Sequence, residues 1–377
     1  MIISNYMKTF KRIFFLLSLA MIFACQNEQD KVTKPKNVIL LISDGTGLSQ
    51  ISSAYFFKDT EPNYSRFQNI GFIKTSSSKE DVTDSAAGAT AFASGVKTYN
   101  GAIGVDPDTT KVATLIELVQ HKKVMTGVIA TSSITHATPA CFYAHQVVRR
   151  MHEDIALDLS KFDVDFFAGG GLKFFTERKD SIDLTKKMSD RGFYINTEKL
   201  DQIETIKDQN KVGFLLAENA MPKMQDGRGD FLQNATQLGM DFLTNDKGFF
   251  MMVEGSQIDW GGHDNDADYT VAELIDFDNA IGKALDFAEK DGNTLVIVTS
   301  DHETGGFTLR SKRKKRENGK EYSDYSEVDI SFSTTGHSAT LIPVFAYGPG
   351  AEEFKGIYEN NEIFHKILDA TQWTSKK

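Results

Sequence analysis

The chain has 377 residues, 40% of them hydrophobic and 25% charged, and a formal net charge of −10. That length suffices for one large α/β domain or two smaller ones, and the composition excludes a disordered or fibrous chain. The acidic balance argues against nucleic acid as the main partner, and it suits an anionic ligand only if cations in the site reverse the local field.

Lys8, Lys11 and Arg12 precede an apolar run over residues 13–23 that ends at Ala24-Cys25. A basic segment, a short apolar stretch and a small residue before the cut predict a secretory signal peptide over residues 1–24. The run is too short to span a membrane. Cysteine at the cut suggests a bacterial lipoprotein, lipidated at Cys25 and exported to the periplasm or outer membrane. A plain signal peptide with an incidental cysteine is the alternative. Residues 25–36 then read as a polar tether. Removing the leader takes away three cations and no acids, so the mature chain is more acidic still. Cys141 is the other cysteine, so the folded part has no internal disulfide to form.

Continuous apolar runs recur at 37–43, 126–131, 163–168, 212–217, 248–253, 294–299 and 341–347. Such runs fit parallel strands covered on both faces. Helical spacing appears at 113–120, 272–290 and 362–371. This alternation predicts an α/β fold, a doubly wound and mostly parallel sheet flanked by helices. No repeat or linker divides residues 37–377, which read as one catalytic domain. The Lys/Arg-rich stretch 311–321 lacks apolar periodicity and reads as a solvated loop, with a phosphate-attracting patch as the alternative.

In open α/β sheets ligands bind beyond the carboxyl ends of the strands, and acids and histidines crowd those ends here. Asp44 follows run 37–43, and Glu254 follows 248–253 with Asp259 and His263 close behind. Asp301 and His302 follow 294–299, and His337 lies just before 341–347. So many carboxylates would push one another's pKa values upward unless divalent cations compensate. Mixed Asp and His donors suit zinc, and oxygen-only donors suit magnesium.

The segment Asp84-Ser85-Ala86-Ala87-Gly88-Ala89-Thr90-Ala91 offers a nucleophile. Its small residues can start a helix packed beneath the site, with Ser85 at the positive end where phosphate binds readily. Read locally, Ser85 or Asp84 is equally a helix cap. Pro139 can open a helix that carries Arg149 about three turns beyond Thr138. A guanidinium there can grip two phosphate oxygens, although spacing alone does not choose Arg149 over Arg150.

The sequence resembles the alkaline phosphatase family from about Asn37 to the last helix. The carriers are Val82-Thr83-Asp84-Ser85-Ala86-Ala87-Gly88-Ala89-Thr90-Ala91 with Gly95-Val96-Lys97-Thr98 downstream, and Val253-Glu254-Gly255-Ser256-Gln257-Ile258-Asp259 with His263. Ser300-Asp301-His302-Glu303-Thr304-Gly305-Gly306, Thr335-Gly336-His337 and Tyr347-Gly348-Pro349 complete them. The resemblance implies hydrolysis of phosphate monoesters of broad type through a phosphoserine at Ser85, releasing inorganic phosphate, with two Zn2+ and one Mg2+ per chain. It implies that Asp259, His263 and His337 hold the first zinc and that Asp44, Asp301 and His302 hold the second. Asp44, Thr138 and Glu254 would hold the magnesium, and Arg149 the phosphate. A homodimer is the usual assembly of relatives. His136 stands where the best-known bacterial pattern has an aspartate near the third metal, and Trp260 replaces a phosphate-contacting lysine. His136 either ligates the third metal or hydrogen-bonds a water on it. No Cys-X-Pro-X-Arg pattern of the sulfatase kind is present.

Overall fold

All seven residues of strand β1 (Asn37–Ser43) are buried, and their side chains alternate between two hydrophobic layers. Val38, Leu40 and Ile42 face one layer, and Ile39 and Leu41 face the other. A strand buried on both faces must lie inside a sheet covered by helices on both sides, so β1 announces the architecture by itself. The computed structural model describes residues 34–373. The expected leader, Cys25 and most of the expected tether lie outside the described residues.

The other strands of the main sheet are β2 (Asn69–Lys74), β3 (Met125–Ser133), β4 (Phe166–Gly170), β5 (Phe193–Asn196), β6 (Lys211–Leu215), β7 (Phe249–Gly255), β8 (Thr294–Thr299), β13 (Ile342–Tyr347) and β14 (Gly356–Glu359). Their order across the sheet is β14-β2-β13-β8-β1-β7-β3-β4-β6-β5. Of these ten, β13 alone runs antiparallel to its neighbours. The main helices are α1 (Leu48–Phe57), α2 (Ser85–Ser94), α3 (His152–Lys161), α4 (Phe231–Leu243), α5 (Gln257–Asp264), α6 (Ala267–Asp291) and α7 (Glu362–Thr371). Helices α2, α3 and α7 bury apolar residues in the layer of Val38, while α1, α4 and α6 do so in the layer of Ile39. This is the doubly wound, mostly parallel sheet expected from the sequence.

Two expectations need correction, and three strands went unforeseen. Residues 311–321 are not a loop: strands β10 (Thr308–Lys315) and β11 (Glu321–Ser331) form an antiparallel hairpin. Its basic strand is zipped to its acidic one by Arg310–Asp329, Lys312–Glu327 and Lys314–Asp324 pairs, so these cations already have anionic partners. The helix from Pro139 to Arg149 stops after one turn, Ala137–Ala140. Beyond it Ile103 and Gln146 form an isolated β-bridge, the chain bends at Val147 and Val148, and the Arg149 amide donates to Gly101 O at 2.7 Å, which fixes the arginine's backbone without a helix. Finally, the short strands β2, β5 and β14 had no continuous apolar run to reveal them, being partly exposed near the sheet's margins.

Candidate active site

Four adjacent parallel strands, β8, β1, β7 and β3, deliver their carboxyl ends to one edge of the sheet. Ile42 pairs with both Glu254 and Thr299, which puts Asp44, Glu254 and Asp301 within one or two residues of a common level. Strand β13 reverses direction, so its entry point lies at the same edge, and the short strand β12 (His337–Ser338) before it pairs with β9 (Glu303–Thr304). The antiparallel strand is what lets a histidine preceding a strand meet acids following strands. Gly45, at φ +75°, turns the chain back so tightly that a Cβ there would lie 2.5 Å from Asp259 Cα. Only glycine suits that conformation and that closeness.

Three groups result, each with donor atoms within 4.8 Å of one another: Asp259, His263 and His337; Asp44, Asp301 and His302; Asp44, His136 and Glu254. In the first, His263 follows Asp259 by one turn of α5. His263 Nδ1 lies 2.6 Å from Thr335 O and His337 Nδ1 lies 2.9 Å from Thr83 O. Carbonyls only accept, so each Nδ1 carries a proton and donates it, and each neutral ring offers a lone pair on Nε2. The two Nε2 atoms are 3.2 Å apart, and Asp259 lies 3.4 and 3.6 Å from them. Lone pairs so close need a shared positive charge. In its absence Asp259 pulls His263 up to about 9, so a proton competes for that position.

The second group is fully buried, as are Asp44 and Glu254 of the third, while His136 is half-buried. His302 Nε2 lies 3.3 Å from Asp301 and 3.7 Å from Asp44. Asp44 Oδ1 and Oδ2, Asp301 Oδ2, Glu254 Oε1, His136 Nδ1 and Thr138 Oγ1 are all buried without a hydrogen-bond partner among the described residues. Each such orphan costs about 1–3 kcal/mol, more when charged, so their convergence demands a compensating ligand. Burial, then the neighbouring Asp301, Asp259 and Glu254, raises Asp44 well above the usual carboxylate range. Burial likewise lifts Glu254 to about 7. Burial and the Arg149 charge press His136 down to about 3, leaving it neutral. The Thr304 hydroxyl links two groups, donating to Asp259 Oδ1 at 2.5 Å and lying 3.2 Å from His302 Nδ1. Accepting from that nitrogen would leave His302 Nε2 free to ligate.

Ser85 is the first residue of α2, and Asp84 caps the helix by accepting from Ala87 N at 3.0 Å. Asp84 is therefore the cap, and the Ser85 hydroxyl is not needed for that task. Ser85 Oγ lies 3.4 Å from His302 Nε2. All ten residues of α2 are buried, and a Cβ on Gly88 would come within 2.9 Å of Asp301 Cβ. The small residues thus let the helix settle directly on the acidic turn. Arg149 donates to Asp84 Oδ2 at 2.9 Å and lies 3.4 Å from His136 Nε2, whereas Arg150 is exposed. Burial pushes the Asp84 carboxyl up, but Arg149 and the Ala87 amide outweigh it and hold it low. His136 also meets Trp260 edge-on at 5.8 Å. Sequence reasoning did not mark Thr304 as part of the site. A threonine two residues beyond a histidine gives no signal until the turn is folded.

The alkaline phosphatase family model matches residues 35–318 and 310–373. Alkaline phosphatase 3 of Bacillus subtilis is 34% identical over 93% of this chain and 91% of its own length. The Escherichia coli alkaline phosphatase is 29% identical over 89% of this chain and 86% of its own. The structure of alkaline phosphatase from the Antarctic bacterium TAB5 superposes with a TM-score of 0.89 at 62% identity, covering 91% of this chain and 99% of that one. A His-to-Asp mutant of TAB5 alkaline phosphatase, with Mg bound in its M3 site, matches at 63% identity, a TM-score of 0.90 and the same coverage. Fold, site and sequence agree: the chain belongs to the alkaline phosphatase family of metal-dependent enzymes, which hydrolyse phosphate monoesters.

Proposed function

We propose that the chain hydrolyses phosphate monoesters by two displacements through a phosphoserine at Ser85, with two zinc ions and one magnesium ion per chain. The observation that carries this reading is the facing pair of His263 and His337 nitrogens together with six orphaned buried polar atoms of the neighbouring groups, one of whose histidines, His302, lies 3.4 Å from Ser85 Oγ. The mixed nitrogen and oxygen donors of Asp259, His263 and His337, and of Asp44, Asp301 and His302, fit zinc. Asp44, Glu254 and Thr138 offer oxygen alone and fit magnesium. Accepting from Arg149 through Nε2 would put the His136 proton on Nδ1, which faces the third group as a donor. That supports a hydrogen bond to water there rather than direct ligation. In the TAB5 relative a His-to-Asp mutant has Mg bound in its M3 site, in keeping with a third site tuned by one such residue.

Bound divalent ions would supply positive charge at the phosphoryl oxygens and lower the pKa of a nearby hydroxyl or water. The chain's own groups do the rest. Ser85 Oγ attacks phosphorus in line, the P–O bond to the alcohol breaks, and the serine becomes phosphorylated. Arg149, steadied by Asp84, holds two non-bridging oxygens, and the amides at the start of α2 add to the anion field. Water then displaces Ser85 from phosphorus and releases inorganic phosphate. Export under the leader 1–24, a lipid on Cys25 and a homodimer belong to the same proposal, the first two supported by sequence features and the third by the family resemblance. Acid quench during turnover of a labelled phosphate monoester should trap label on Ser85, and Ser85→Ala should cut kcat by at least about a thousandfold. Undiminished turnover in that variant would remove the mechanism.

A further inference from the structure

Glu303 follows His302 directly and pairs through its backbone with Ser338, the neighbour of His337, yet neither the proposed mechanism nor the metal sites use its side chain. It is 5% exposed, and its two oxygens serve three separate segments. Oε1 accepts from Gln50 Nε2 at 2.9 Å and from the Phe307 amide at 3.0 Å, and Oε2 accepts from the Ser338 hydroxyl. All three donors are neutral. Gln50 is fully buried, donates also to Thr304 O at 3.0 Å, and accepts from Gly47 N at 3.1 Å. Gly47 makes room, since a Cβ there would sit 2.6 Å from Glu303 Cγ.

Each tie ends in a segment that carries a candidate ligand. The Gln50 tie reaches the turn that begins at Asp44, whose Gly45 O accepts from Thr304 N at 3.0 Å. The Phe307 tie closes the loop that begins at Asp301 and His302. The Ser338 tie reaches the neighbour of His337, in a β12 strand only two residues long. Besides Glu303, the two-residue backbone pairing, the Gly305 amide on Gly336 O at 3.0 Å and contacts of the ring itself with Thr83 O and His263 hold His337 where its ring stacks 3.6 Å from that of His302.

We propose that Glu303 is a positioning residue: its buried carboxylate ties the Asp44 turn, the Asp301–His302 loop and the His337 strand together, fixing the spacing between the two zinc-type groups. This rests on reading those groups as cation sites. Geometry, not charge, is the active property, so glutamine should serve: its oxygen can accept from Gln50 and Phe307 while its amide donates to Ser338.

The test uses full-length, zinc-loaded protein, following zinc release into excess chelator and the zinc concentration that half-restores hydrolysis after stripping. Partners behind metal ligands are typically worth 10- to 100-fold in metal affinity. Glu303→Ala should therefore release zinc at least about tenfold faster and need at least about tenfold more zinc, with kcat at saturating zinc within about threefold of wild type. Glu303→Gln should stay within about threefold of wild type on both readouts, and Ser338→Ala should fall between. A merely structural residue would lower kcat and melting temperature without moving the zinc requirement, and that result overturns the proposal. So does glutamine behaving like alanine, or an unchanged zinc requirement in Glu303→Ala. Should Glu303→Ala fail to fold, wild-type zinc release by Ser338→Ala overturns it equally. A wild-type protein that takes up no zinc would instead sink the parent reading.

Discussion

Arg149 and Arg150 are chemically identical neighbours, and the fold separates them completely. Arg149 turns inward onto Asp84, and Arg150 stays in solvent. A charge-assisted bond to a phosphate oxygen is worth about 1.5–3 kcal/mol. Arg149→Ala should thus lower kcat/KM roughly 10- to 100-fold, and Arg150→Ala should leave it within about twofold. Steady-state kinetics on one aryl phosphate measures both, and equal losses would show that the inward arginine has no special role. Neither outcome could be argued from sequence spacing, because the helix that was to carry Arg149 is only one turn long. The pairing of Ile103 with Gln146 positions the arginine, and nothing in a linear reading links those residues.

Among the elements, α2 and the β10–β11 hairpin make opposite cases. Helix α2 is built of small residues because it presses on Asp301, and a methyl on Gly88 has 2.9 Å to the nearest side-chain carbon. Overpacking of this kind costs about 1–3 kcal/mol. Gly88→Ala should lower the melting temperature and cut kcat together, since the helix start carries Ser85. A stable, fully active Gly88→Ala protein would mean that the helix can shift without cost. The hairpin, by contrast, lies in sequence between His302 and His337 but spends its charges internally. Exposed ion pairs are worth about 0–1 kcal/mol, so Lys312→Ala with Lys314→Ala should change kcat/KM by less than about twofold at low salt. A larger loss would revive the phosphate-attracting patch.

Across the whole molecule the decisive quantity is the negative charge buried at one sheet edge. Asp44 and Glu254 are raised by burial and by neighbouring carboxylates, Asp301 above all, and Asp259 holds His263 protonated up to about 9. A cation must displace those protons before it can bind. Zinc uptake by metal-stripped protein at pH 8 should therefore release at least about one proton, and affinity should fall up to about tenfold per pH unit below 9. Calorimetry in buffers of different ionisation enthalpy reads the proton count directly; uptake with no proton released would contradict the geometry of the His263–His337 pair. Stripping the metal should also lower the melting temperature, because no disulfide is available to compensate.

Much of this was legible in the linear chain, for definite reasons. Strands buried on both faces, such as β1 and β8, are unbroken apolar runs, so the class of fold and the strand ends bearing Asp44, Glu254 and Asp301 follow from composition along the chain. Long motifs around Ser85, Asp259, His302 and His337 carried the family. Tertiary structure alone decided the rest. The antiparallel β13 brings His337 to the acids, the Arg149 amide on Gly101 O turns inward the arginine that the resemblance had marked, and the two-residue pairing of β9 with β12 sets Thr304 and Glu303 behind the site. These depend on contacts between residues distant in sequence, which periodicity cannot encode because it records only what each residue's near neighbours require.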